Sequence, residues 1–182
     1  LVMSYNTKKK MKFRDGTVIR RVEEAKYLGC DLNDDTDITR EINKRIQKCN
    51  AVLSRMHYFW LHGNCGKQFK IRVYNSIIRS KLMYGLESAQ LNLGDWKRLD
   101  TFHLKGLRKI LGITTTWGQM QNNQARTNTV PYVYERARQA LLSQPKLTNK
   151  SKYKARKHLT KLSTFHQLKR VELMHEILAL PD

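Results

Sequence analysis

The feature that most constrains this chain is a long stretch without acidic residues. From Ile42 to Leu86 the sequence contains nine lysine or arginine residues and no aspartate or glutamate. From Arg136 to Val171 it contains eleven basic residues, again without an acidic one. Ordinary solvated helix faces mix both signs, because glutamate–lysine pairs four residues apart stabilise a helix. These two stretches forgo that help, which favours contact with an anionic partner over a merely solvated surface.

The overall charge indicates the same kind of partner. The 182 residues include 35 lysine or arginine and 15 aspartate or glutamate residues, a formal charge of +20. Self-repulsion of this size destabilises a compact protein unless an anionic partner offsets it, and nucleic acid is the usual one. A membrane surface is the second candidate, but the sequence has no long apolar run and no lipidation signal.

Turn signals and apolar spacing predict an α+β fold that is mostly α. Asp15-Gly16 predicts an N-terminal β-hairpin, and the stretch AKYLGCDL predicts a further strand. Helices are then expected at about 37–61, 67–86, 95–111, 131–142 and 155–180, with a loop at 114–129. Gly112 is the expected C-cap of the third helix, and Pro131 suits the first turn of the fourth.

The same signals predict three segments and an apolar line on each helix. The segments are short strands at 1–35, a helical domain at 36–113, and a loop with a basic helical extension at 114–182. The apolar line of the second helix is expected to be Phe69, Val73, Ile77 and Leu82. The last helix is expected to bury one side, formed by Leu159, Leu162, Phe165, Leu168, Val171, Met174 and Leu178.

The candidate RNA-binding residues are basic side chains of the first two helices and of the linker before the last helix. On the first helix, spacings of four, four and seven put Arg40, Lys44, Lys48 and Arg55 on one face. Such side chains contact phosphates. The full set is Arg40, Lys44, Arg45, Lys48, Arg55, Lys67, Lys70, Arg72, Lys150, Lys152, Lys154, Arg156 and Lys157.

Other candidate sites are weaker, and no catalytic residue, cofactor or metal site is predicted. The aromatic residues at 58–60 could stack bases, although aromatic residues at a helix end more often lie in a core. Cys49, His57, His62 and Cys65 match no standard zinc-ligand spacing, so core or surface positions are the better interpretation. Asp34-Asp35 could hold magnesium, but a turn and a helix cap explain the pair better. Three cysteines without a tight pattern favour a reducing compartment.

Four segments follow one another in the order KYLGCDLNDD, EINKRIQKCNAVLSRM, KIRVYNSIIRSKLMYGLES and LKGLRKILGI. Together they resemble the C-terminal part of non-LTR retrotransposon (LINE-like) reverse transcriptases, over about residues 8–130. In that family a YLG strand closes the palm, and a helical thumb follows. The thumb has a lysine near the start of its second helix, a YG-x-E at that helix's end, and an LR-x-ILG helix afterwards. The matching positions here are 27–29, Lys70, 84–87 and 107–112.

The resemblance implies a thumb-like helical bundle that grips a template–product duplex by its backbone. The family's catalytic aspartates lie upstream, in palm motifs that include Tyr-x-Asp-Asp. Nothing here matches them, because Asn33-Asp34-Asp35 follows the YLG segment instead of preceding it. The tryptophan that the family tends to have two residues after the YG-x-E glutamate is also missing, since SAQ follows Glu87 here. No catalytic residue is therefore carried over.

We therefore expect a non-catalytic RNA-binding protein, derived from a reverse-transcriptase thumb and acting as a structural component of a large ribonucleoprotein such as a mitochondrial ribosome. Lysine-rich segments at its two ends bury too little apolar surface to fold alone, so phosphates or neighbouring proteins are expected to hold them. Loss of a transit peptide would explain a first residue other than methionine, which favours the mitochondrion, with the nucleus or cytoplasm as the alternative.

Two alternatives stay open. The chain is either the structural protein just described or the C-terminal thumb fragment of an active retroelement RNA-directed DNA polymerase. A weaker alternative is a protein-interaction module that uses the apolar side of the last helix.

Overall fold

The computed structural model describes residues 12–20, 22, 24–27, 30–33, 38–86, 89–143, 149 and 159–179. This part of the chain is mostly helical, as the sequence predicts. Contacts divide the chain into two units, Leu1–Lys44 and Arg45–Asp182. The boundary between the two units falls inside the first helix.

The predicted N-terminal hairpin at Asp15-Gly16 is not confirmed. Its residues form a turn, in which Asp15 Oδ1 accepts a hydrogen bond from Thr17 N at 2.9 Å, and a single isolated bridge joins Lys12 to Val18. Residues 12–18 are exposed, so no apolar face holds longer strands together. A lone hairpin is marginally stable at best in water.

Two short strands form further along the first unit. Strand β1 covers Glu24–Tyr27 and strand β2 covers Cys30–Asn33, and they pair in antiparallel fashion. The single strand expected at residues 25–32 is therefore wrong. Gly29 lies between the two strands in the sequence, and glycine weakens a strand interior.

Helices follow, and the first of them, α1, contributes residues to both units. A π-helical segment lies between α3 and α4, so that the chain stays helical from residue 67 to residue 83. The helices are α1 (Thr39–Arg55), α2 (His57–His62), α3 (Lys67–Tyr74), the π-helical segment (Asn75–Arg79), α4 (Ser80–Met83), α5 (Leu93–Leu111), α6 (Thr116–Gln121), α7 (Val130–Leu142) and α8 (Leu162–Leu178).

Two predicted helix ends are confirmed, and three other helix predictions are corrected. Gly112 adopts a left-handed φ of 70° after α5, and Pro131 lies in the first turn of α7. The first predicted helix is interrupted at Met56. Helix α6 forms inside the predicted loop, because Thr115 Oγ1 accepts from Gly118 N at 3.0 Å and caps it. The last helix begins only at Leu162, and residues 155–158 lie outside the described part.

Helix α5 is the centre of the second unit, where it contacts α2, α3, α7 and α8. Leu99, Leu107 and Ile110 are buried on it. A Cβ atom at Gly106 would lie 2.5 Å from Cε2 of Tyr74. Only glycine leaves room for that ring, so Gly106 lets α3 and α5 pack closely.

The predicted apolar line of α3 and α4 is confirmed at Leu82, which is buried, but is wrong at Phe69 and Ile77. Phe69 is 55% exposed and Ile77 is 43% exposed. The buried residues are Ile71, Tyr74, Ile78 and Leu82, at spacings of three and four. Two apolar lines therefore run along this helical stretch, and spacing alone does not tell which one faces the core.

Helix α8 is held against α5 mainly at its first turns. Asp100 of α5 caps α8, since its Oδ1 accepts from Leu162 N at 2.6 Å and its Oδ2 accepts from Ser163 Oγ at 2.6 Å. The Arg79 guanidinium lies 3.9 Å above the centre of the Phe165 ring. Later residues predicted to be buried are exposed, namely Leu168, Val171, Met174 and Leu178.

Candidate nucleic-acid interface

The charge of the chain is concentrated in the second unit. Residues 45–182 contain 25 basic and seven acidic residues, a formal charge of +18. Residues 1–44 contain ten basic and eight acidic residues, a formal charge of only +2. The helical unit therefore carries almost all of the positive field that attracts an anionic partner.

The acidic side chains described in the second unit are largely committed to structural contacts. Asp95 is buried in the first turn of α5, and Asp100 caps α8. Glu135 pairs with Arg138 at 3.1 Å, and Glu172 pairs with Lys169 at 3.6 Å. These carboxylates thus leave many surface lysines and arginines of the unit without neutralisation.

Three of the predicted RNA-binding residues are both exposed and without an ion pair among the described residues. Lys48, Arg55 and Lys67 are exposed, and none of them makes an ion pair within the described residues. Lys48 and Arg55 lie seven residues apart on α1, which puts them on the same face. Lys67 is the first residue of α3. Their charges are available to phosphate groups.

Three further predicted residues lie at the surface with local contacts. Arg40 and Arg72 are exposed and Lys44 is half-buried, and each already has an interaction within the protein. Arg40 and Lys44 belong to the first unit. They remain candidates, but the second unit carries the stronger case because of its charge.

Two predicted RNA-binding residues, Arg45 and Lys70, have a structural role instead. Both are buried. Arg45 donates to the carbonyl oxygens of Leu82 and Tyr84 at the end of α4. Lys70 Nζ donates to Trp60 O at 2.9 Å, near the end of α2. Basic side chains satisfy the free carbonyl groups of helix C-termini in this way, so these two do not face a ligand.

The remaining predicted residues lie in the basic linker, outside the described part of the chain. Their positions stay a prediction. They are Lys150, Lys152, Lys154, Arg156 and Lys157. The possible magnesium pair Asp34-Asp35 also lies outside the described residues.

The sequence interpretation missed basic surface residues on the later elements. These exposed side chains have no ion pair among the described residues, and most also lack an acidic residue three or four positions away in the sequence. That lack is a usable signal, because such an acid would pair with them on a helix. They are Lys97, Lys105, Arg126, Arg136, Lys161 and Arg170.

The aromatic residues of α2 divide between core and surface, and the Cys49 thiol of α1 lies in the core. Trp60 is buried, with its ring centre 6.5 Å from that of Tyr74, whereas Tyr58 is 77% exposed. Cys49 is buried, its Sγ is 3.8 Å from Ile78 O, and burial raises the pKa of its thiol. No group of three metal-ligating side chains occurs among the residues that the structure describes.

A buried polar pair, Tyr74 of α3 and His103 of α5, joins the two helices and has a structural role. The hydroxyl of Tyr74 lies 3.1 Å from His103 Nδ1. Burial, together with the nearby Arg79 guanidinium, lowers the pKa of His103 to about 3. The imidazole is therefore neutral at physiological pH, and it adds no charge to the interface.

Comparison with known proteins identifies no relative. No protein-family model, no curated protein and no solved structure matches this chain. Among the described helices, none is both long enough and apolar enough to cross a membrane.

Proposed function

We propose that this chain is a non-catalytic RNA-binding protein whose helical second unit contacts phosphate groups. The observation that carries the proposal is the charge of +18 on that unit, combined with described acidic residues that, apart from the exposed Glu176, are committed to caps, ion pairs or burial. A polyphosphate backbone supplies the counter-charge that the protein itself does not.

Contact with phosphates predicts a particular kind of binding. Lysine and arginine that neutralise phosphates release condensed counterions, so the affinity falls steeply with salt and depends little on sequence. Lys48, Arg55 and Lys67 are the residues with the clearest access, since they are exposed and make no ion pair among the described residues.

A charge-reversal experiment tests this proposal. The triple variant Lys48→Glu, Arg55→Glu, Lys67→Glu should bind RNA of every sequence more weakly than the wild type. The matched control reverses three exposed cations of the first unit, Lys12, Arg14 and Arg20, which changes the total charge by the same amount. Equal loss in both variants would show that only net charge matters, and no loss in the first variant would refute the proposed interface.

The proposed origin of the protein is a reverse-transcriptase thumb. The support is the order of four family-like segments, and several of their elements fall at helix ends. Lys70 lies in the first turns of α3, residues 84–86 directly follow α4, and Leu107–Gly112 closes α5. The departures from the family pattern support a role without polymerase chemistry: Ala89 stands where the family tends to have tryptophan, and Asn33-Asp34-Asp35 follows the YLG segment instead of preceding it.

We further propose that the protein is a fixed subunit of a large ribonucleoprotein such as a mitochondrial ribosome. The support is the excess positive charge, because self-repulsion destabilises the free compact protein and RNA that stays bound offsets it. Sedimentation of native extract tests this. Co-migration with particles that contain rRNA, lost after RNase treatment, is expected, and a slowly sedimenting free protein would contradict it.

The alternative, a thumb fragment of an active retroelement polymerase, is favoured by the same four segments. Two-metal phosphoryl transfer needs carboxylates that hold both ions. Primer extension by the 182-residue chain, abolished by changing Asp34 and Asp35 to alanine, would support the polymerase and overturn the non-catalytic assignment.

A further inference from the structure

A cavity of about 520 Å³ opens between the start of α3, the end of α5 with the loop after it, and one side of α7. Its size falls within the ~300–1,000 Å³ range of small-molecule sites. Lys67 and Arg136 supply two cations to its lining, and no acidic residue contributes to the wall. The cavity therefore suits an anionic ligand.

One wall of the cavity is an aromatic side chain that lacks a stacking partner. Tyr132 of α7 lines the cavity and is 40% exposed. Its ring contacts no other aromatic ring in the described part of the chain. A planar group entering the cavity can lie against this ring, as bases do on the aromatic side chains of single-strand-binding proteins.

The part of the wall formed by Thr114 and Asn128 is held in place by a hydrogen-bond network. The buried Gln119 accepts from Asn128 N at 2.9 Å and donates to Thr127 Oγ1 at 2.9 Å. Asn128 Nδ2 donates to Thr114 O at 3.1 Å, and Arg108 donates to Asn128 O at 2.9 Å. The loop after α5 is thus fixed before any ligand arrives, which reduces the entropy lost on binding.

Polar groups on both walls can recognise the edges of a ligand. The cavity is lined by Asn128, whose side-chain amide nitrogen is already engaged, so its Oδ1 is left to accept a hydrogen bond. On α7, Arg136 and Gln139 both line the cavity, with Arg136 donating to Gln139 Oε1 at 3.5 Å. Cations, a ring and amide groups together match a phosphate attached to a base.

We propose that this cavity binds one unpaired nucleotide of a bound RNA strand. Lys67 and Arg136 take the phosphate, and the base stacks on Tyr132. The inference rests on the proposed function, because it assigns a subsite to the same RNA-binding unit. It adds a preference that phosphate contacts alone do not give, since a base can enter the cavity only from a single strand or an unpaired position.

The test compares a single-stranded RNA oligonucleotide with a duplex of the same length. Tyr132→Ala should weaken single-strand binding roughly 5- to 150-fold, the range for losing one base–aromatic stack, and leave duplex binding unchanged. Tyr132→Phe, which keeps the ring, should retain wild-type affinity. Tyr84→Ala, which removes an exposed tyrosine side chain of the same unit outside the cavity, is the matched control and should also retain it.

A second pair of variants tests the phosphate contact. Arg136→Gln should weaken single-strand binding more than duplex binding. Lys105→Gln removes one charge from an exposed residue outside the cavity lining and should affect both RNAs alike. Thermal melting of each variant checks that the fold is intact.

The outcomes separate the two proposals. If the wild type binds neither RNA, the proposed function fails, and the cavity proposal fails with it. If the wild type binds both RNAs and Tyr132→Ala binds the single strand as tightly, only the cavity proposal is overturned. It is also overturned if a poly-glutamate peptide binds the wild type and loses affinity in Tyr132→Ala as the RNA does, because the site would then fit an acidic protein.

Discussion

Lys67 and Lys70 provide a matched test of which cations bind RNA and which stabilise the fold. Both are lysines of α3, three residues apart, and both were predicted to bind RNA. Lys67 is exposed, whereas Lys70 is only 6% exposed and donates to Trp60 O at 2.9 Å. Replacing each by methionine removes the charge and keeps an unbranched apolar side chain. The two variants should therefore fail in different ways.

The expected loss for Lys70→Met follows from its contact. No other hydrogen bond satisfies the Trp60 carbonyl among the described residues, so the change leaves a buried acceptor unpaired. Removing such a charged hydrogen bond costs roughly 1.5–3 kcal/mol. At about 4 °C per kcal/mol for a unit of this size, the melting temperature should fall by roughly 6–12 °C. RNA affinity measured below the transition should stay at the wild-type value.

Lys67→Met should show the opposite behaviour. Surface substitutions usually change stability by no more than about 0.5 kcal/mol, so the melting temperature should barely move. Loss of one phosphate contact should make the slope of log K against log salt shallower by about 0.7–0.9. Calorimetry and fluorescence anisotropy measure the two quantities. If Lys70→Met melts like the wild type and loses RNA affinity, the structural assignment of Lys70 is refuted.

Three further changes test the packing that presents this surface. Asp100→Ala uncaps α8 and should cost about 1–2 kcal/mol, with faster hydrogen exchange at Leu162 and Ser163, whereas Asp100→Asn keeps an acceptor and should lose less. Gly106→Ala places a methyl group against Tyr74 and should cost about 1–3 kcal/mol by denaturant unfolding, less in a Tyr74→Leu background. Burial lowers the pKa of His103 to about 3, so the unfolded chain takes up a proton below pH 6.5 that the folded chain excludes. The contribution of His103 to the free energy of unfolding is therefore fully present above pH 6.5, and it falls by about 1.4 kcal/mol for each pH unit below that. In His103→Gln, the urea concentration at the unfolding midpoint should therefore change less between pH 6.5 and pH 5 than in the wild type. An equal change in both proteins would contradict a neutral, buried His103.

The sequence was sufficient to place most of the helices. Helix α5 and helix α7 carry local end signals, Gly112 and Pro131, that act whatever the surroundings. The positive charge could also be predicted from the sequence, since stretches without acidic residues do not depend on how the chain packs. Thr115, by contrast, was an available cap signal for α6 that the prediction overlooked.

Long-range contacts decided what the sequence could not. Nothing local distinguishes Lys67 from Lys70, and only the position of the Trp60 carbonyl, ten residues away, makes one of them buried. The start of α8 is likewise set by Asp100, which is 62 residues from Leu162. The prediction of a single strand at residues 25–32 was wrong for a different reason. A run of β-prone residues does not show where the chain turns and forms two paired strands.

The cavity beside α7 was beyond sequence reasoning altogether. Its cations come from α3 and α7, far apart in the chain, and its rigid wall depends on Gln119, a residue of the segment predicted to be a loop. Tyr132 and Arg136 lie four residues apart on one helix face, yet that pair alone does not indicate a site. The cavity forms only because the C-terminal end of α5 packs next to α3 and α7.

The central claim, phosphate contact by the helical unit, is tested most directly by the salt dependence of RNA binding. The affinity of the chain for a duplex RNA is measured by fluorescence anisotropy over a range of sodium chloride concentrations. Contacts from Lys48, Arg55 and Lys67 alone predict a straight line of log K against log salt with a slope of about −2 or steeper, and the same slope for RNAs of unrelated sequence. A flat line, or binding to only one sequence, would contradict the claim.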